Sequence, residues 1–106
     1  MANPWAGEVE LVIDGRRQVL RLTLGALAEL EADLGAETLF NLIERFETGN
    51  VRARDVLALI AAGLRGGGWS GRSSDLVAAE IEGGAVEAAR VAGQLLVRAF
   101  EMPKQG

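Results

Sequence analysis

The sequence predicts an α+β fold, mainly α, in which an N-terminal β-hairpin is followed by about five helices in one small domain over residues 1–106. Three observations carry that expectation. Apolar and polar residues alternate on either side of Asp14-Gly15, later apolar residues recur at helical spacing, and glycines punctuate the helical stretches. A chain of 106 residues suits one hydrophobic core, because folding at that size buries roughly 65% of the surface that the unfolded chain exposes.

The hairpin is expected over about residues 8–22. Val9, Leu11 and Ile13 alternate with Glu8, Glu10 and Val12, and beyond the turn Leu20 and Leu22 lie opposite Val19 and Arg21. Asp14-Gly15 forms a two-residue type I′ turn, or Asp14 to Arg17 form a four-residue loop; both registers leave the same side chains on the buried face. A lone hairpin is marginal in water, so the following helices must cover it.

Thr23 is placed to cap a helix over about 24–34, with Leu24, Leu27, Leu30 and Leu34 as its stripe and Gly35 as its stop. A second helix, about 37–48, carries Leu39, Phe40, Leu42, Ile43 and Phe46 and ends at Gly49-Asn50. The third, about 52–65, holds Val56, Leu57, Leu59, Ile60 and Leu64 so densely that more than one face must be covered, which makes it the central helix. Ser73 or Ser74 caps a short fourth helix over about 74–82, and Gly83-Gly84 separates it from a last helix over about 85–100. The tail from Met102 to Gly106 is expected to fray.

Composition narrows the function. The net charge of −4, with acidic and basic residues interspersed, offers no basic stripe for nucleic acid or an anionic membrane. No apolar stretch approaches the ~20 residues that span a bilayer, and no signal peptide pattern opens the chain, so the bacterial cytoplasm is the expected place of action. Ten of the eleven basic residues are arginine, a usage that fits a GC-rich bacterial genome. The chain has no Cys and no His, which removes thiolate nucleophiles, imidazole bases and the commonest transition-metal ligands. No catalytic residue, cofactor or metal site is expected.

The remaining constellations read as structure. Glu29, Glu31 and Asp33 resemble a carboxylate cluster, but at 100° per residue Glu29 and Glu31 diverge by about 200°, leaving a solvated helix face. Gly66-Gly67-Gly68 follow a helix instead of a strand, and no Lys-Ser or Lys-Thr follows them, so they are expected to be a flexible connection instead of a phosphate cradle. Trp5 is expected to pack back over the hairpin. Trp69 either closes the glycine loop onto the core or stands out as a contact for a partner. Leu64, Arg65 and Trp69 mark the edge where core becomes a candidate partner-binding surface.

One ordered set of features spans nearly the whole chain. It comprises the hairpin with Asp-Gly, then Leu22-Thr23-Leu24-Gly25-Ala26-Leu27-Ala28-Glu29-Leu30-Glu31, then Arg54-Asp55, then Ala62-Gly63-Leu64-Arg65-Gly66-Gly67-Gly68. That order resembles the gene transfer agent family of small phage-like tail proteins, regarded as relatives of the tail assembly chaperones of long-tailed phages. The resemblance implies a non-enzymatic chaperone that binds the tape measure protein and gives way as tube subunits polymerise. The implied partners are the tape measure protein and a second small chaperone or tail tube subunits, with a homo-oligomer also open. The rival is a structural, tube-associated tail component. Tube subunits typically form a larger β-sandwich ring, and one short hairpin is little strand for that, so the sequence leans toward the chaperone. A remote third reading, a small-ligand or enzymatic domain, requires a polar pocket with converging ionisable groups.

Overall fold

The computed structural model describes residues 7–100. The expectations for Trp5 and for the tail from Met102 lie outside the described residues. Two strands, β1 (Val9–Ile13) and β2 (Arg16–Leu20), precede α1 (Leu24–Leu34), α2 (Leu39–Thr48), α3 (Ala53–Gly66) and α4 (Gly84–Phe100).

The hairpin closes through the two-residue turn. Ile13 pairs with Arg16 and Val9 with Leu20, and Asp14 and Gly15 take φ of 51° and 76°, the left-handed conformations that a type I′ turn requires. Val9, Leu11, Ile13, Leu20 and Leu22 are all buried, as the alternation predicts. β1 packs against α4 and β2 against α3.

Thr23 caps α1, its Oγ1 accepting the Ala26 N–H at 3.1 Å, and Thr38 caps α2 by accepting from Asn41 N–H at 3.2 Å. The buried face of α1 is Ala26 and Leu30, with Leu27 and Leu34 beside them, whereas Leu24 is exposed. Leu24 leaves the expected stripe because it lies about 105° around the helix from the centre of that face. Phe40 is exposed on α2 for the same reason, about 110° from the face formed by Leu39, Leu42, Ile43 and Phe46.

α3 is the central helix. Every residue from Leu59 to Leu64 is buried, and the helix touches α1, α4, β2 and the turn that follows it. A run with no exposed side is what an apolar helix surrounded by neighbours must show.

The expected fourth helix is instead one 3-10 turn, Ser73–Leu76, followed by an extended strap against β1. Asp14 N–H donates to the Glu80 carbonyl at 2.7 Å, Glu82 N–H donates to the Val12 carbonyl at 3.0 Å, and Asp14 Oδ1 accepts the Glu80 N–H at 2.9 Å. So short a segment gains little from helix formation, and the free edge of β1 supplies its backbone partners instead. The described residues therefore hold four α-helices and that 3-10 turn.

The glycine run is also not the flexible connection expected. Gly66 ends α3 and Gly67 caps it, and a Cβ on either would meet the backbone at the end of β2, 1.8 Å from Arg21 O just past the strand or 2.0 Å from Val19 O within it. The Gly63 carbonyl, one turn earlier, accepts the Arg21 N–H at 2.9 Å. These glycines let the helix end lie against the strand, closer than any other residue permits. Of the three, only Gly68 takes a left-handed φ, 105°.

Candidate functional site

The edge expected at Leu64, Arg65 and Trp69 is built by a hook at the end of α3. Trp69 N–H donates to the Leu64 carbonyl at 2.9 Å, turning the chain back on the helix. Leu64 is buried and supports this edge from within the core; Arg65 and Trp69 are half-buried and reach the surface. The indole lies over Gly71, where a Cβ would approach its Cζ2 to 2.1 Å, and packs against the core cluster. Arg65 holds the hook to α1: its Nε donates to the Gly71 carbonyl at 3.3 Å and its Nη1 to Glu29 Oε2 at 3.4 Å. Trp69 also walls a recess of about 580 Å³ with Arg16, Gln18, Ser70 and Asp75.

A different surface is a mainly apolar concavity. α3, the strap and the start of α4 enclose an open groove of about 540 Å³, with Val56, Leu57 and Ile60 on one wall and Ala85 and Ala88 on the other. Val77, 74% exposed, lines it from the strap side. A second recess, about 410 Å³, lies between α2 and α4 and is lined by Ile43, Phe46, Val97 and Phe100.

At one end of the first groove stands a charge cluster that sequence reasoning did not single out. Asp55, 1% exposed, is the one buried charged residue among those described. Arg45 grips it from α2 with two hydrogen bonds of 2.9 Å, Nε to Oδ2 and Nη2 to Oδ1. The Arg52 N–H donates to Asp55 Oδ2 at 3.0 Å, capping α3, and its guanidinium adds contacts of 3.2 and 3.3 Å. Burial pushes the Asp55 carboxyl up, but the hydrogen bonds from Arg45, Arg52 and the Arg52 backbone outweigh it and hold the pKa at about 2. Glu37 accepts from Arg45, from Arg52 Nη2 at 2.7 Å and from Arg54 Nη2 at 3.4 Å, and the Arg52 bond chiefly keeps its carboxyl below the usual range.

Such a cluster fastens α2 to the start of α3. Both carboxylates are ionised near neutral pH and occupied by guanidiniums, so neither is poised to move a proton. The capping spacing of Arg52 and Asp55 was the readable signal. Arg45 and Glu37 come from α2 and the loop before it, so they join Asp55 through the packing of α2 on α3 and not through a period within one element.

The acids of α1 behave as a solvated face: Glu29, Glu31 and Asp33 are all exposed. Among the described residues no group of three or more acidic, His or Cys side chains is placed to hold a metal, and no helix is long and apolar enough to cross a membrane.

A family model described as "Phage tail tube protein, GTA-gp10" matches residues 6–102. No curated protein and no solved structure matches the chain.

Proposed function

The chain belongs to the phage tail tube protein family GTA-gp10, and from that premise we propose that it is a non-enzymatic, tube-associated component of a phage-like tail, in a gene transfer agent or prophage. The observation that carries this reading is the family match over residues 6–102. It shifts the weight from the tape measure chaperone toward the structural alternative.

The fold suggests where such a component meets its neighbours. β1 is engaged on its outer edge by the strap, and the end of α3 lies against Val19 of β2 and Arg21 just past it. The helices and the apolar recesses between them are then the surfaces left for contacts with other tail proteins. The chaperone reading keeps one supporting observation. The described residues contain a single two-stranded sheet, whereas a tube wall is built from larger β-structure.

Quantitative mass spectrometry of purified particles separates the two. A tail component is expected in a fixed ratio to the tube subunits. Absence from mature particles, combined with solubilisation of the tape measure protein on co-expression, would replace this reading with the chaperone.

A further inference from the structure

The groove between α3 and α4 carries information about its occupant. Of the residues lining it, only Arg54 is charged. The adjoining cluster sets three cations, Arg45, Arg52 and Arg54, against two anions, Glu37 and Asp55, leaving one surplus positive charge. Arg45 and Arg52 hold the close contacts. Arg54 reaches Glu37 only at 3.4 Å and its side chain is 72% exposed, so the surplus charge resides on the arginine that faces the groove. In a chain of net charge −4, this places a cation at the end of an apolar trough.

We propose that this groove docks an apolar helical segment of another tail protein, bearing a carboxylate that pairs with Arg54. The inference rests on the reading that the chain works by contact with other tail proteins. A small polar ligand would need several converging polar groups, and the groove offers one charge at one end. It is open to solvent along its length, which suits a polypeptide laid into it better than a fatty acid, whose chain calls for enclosure. The low walls at Ala79, Gly84, Ala85 and Ala88 let a helix backbone come close.

The test places a benzophenone amino acid at Val77, or at exposed Phe40 as a control, in the full chain within particle-producing cells, and maps cross-linked peptides by mass spectrometry. The expected product joins Val77 to a peptide of another tail protein with helically spaced apolar residues and a neighbouring Asp or Glu. Arg54→Glu is expected to lower the yield by about tenfold and Arg54→Lys to hold it within about twofold, with melting temperatures confirming that the variants fold.

A yield at Val77 no greater than at Phe40, a product with a second copy of this chain, a bound fatty acid, or a yield insensitive to Arg54→Glu would each overturn the proposal. If the chain is stoichiometric in particles while Val77 gives no product, the groove assignment fails and the tail reading stands. If the chain is missing from particles and neither position reaches a tail protein, the tail reading fails with it.

Discussion

The carbonyl oxygen of Arg21 sits 1.8 Å from where a Cβ on Gly66 would be, so the last turn of α3 meets the backbone just past β2 with no room for a side chain. In an ordinary exposed helix, glycine to alanine stabilises by about 1 kcal/mol. Here the sign reverses, because backbone must move to admit the methyl group. Gly66→Ala is expected to destabilise by about 2 kcal/mol, read from the urea midpoint at constant slope. A stabilised variant would show that the helix end does not lie against the strand.

Removing the Asp55 carboxylate leaves Arg45, whose side chain is only 16% exposed, without its bidentate partner. Asp55→Ala is expected to cost about 3 kcal/mol, whereas Glu31→Ala on the solvated face of α1 should stay within about 0.5 kcal/mol. Equilibrium denaturation of the two variants side by side checks the contrast.

Acid should find the same site. The folded pKa of Asp55 is about 2 against an ordinary 3.8, so on acidification the unfolded chain takes up the proton first. The resulting stabilisation is fully present above the ordinary value and is lost as the pH falls through about 2, an amount on the order of 2 kcal/mol. Glu37, also held low, acts in the same direction. Denaturation at pH 6, 4 and 2.5 should show a shallower acid loss in Asp55→Asn than in the parent chain.

Trp69 packs on Gly71 and the core and is partly exposed. Trp69→Ala is expected to lower stability by about 1–2 kcal/mol, less than the 3–5 of a fully buried tryptophan. A melting temperature unchanged by the substitution, together with lost binding to tail proteins, would instead make the indole a pure contact residue.

The hairpin and the central helix were legible because each repeats a simple period over several residues: two for Val9, Leu11 and Ile13, and nearly continuous apolarity for Leu59 to Leu64. The strap was not. Ser73 or Ser74 as a cap and Gly83-Gly84 as a stop frame a short helix in the sequence, and the bonds that draw the segment out belong to Val12 and Asp14, more than sixty residues earlier. The glycines of 66–68 posed another ambiguity. Lacking a Cβ serves free rotation and close approach alike, and only the neighbouring strand decides between them. The arginine cluster gathers Glu37, Arg45, Arg52 and Asp55 from two helices and their preceding loops, so its members become a group only after α2 folds back on α3.

The hydrogen bonds that pin the strap give Asp14 a double duty. Its backbone starts the hairpin turn while its N–H and Oδ1 clamp Glu80 over the outer edge of β1. An uncovered edge is a template on which other chains stack into aggregates. Protection from that fate is thus vested in a turn residue. Asn-Gly in place of Asp-Gly keeps both the turn and an oxygen to receive the Glu80 N–H, whereas Gly-Gly preserves the turn and loosens the guard on the strand.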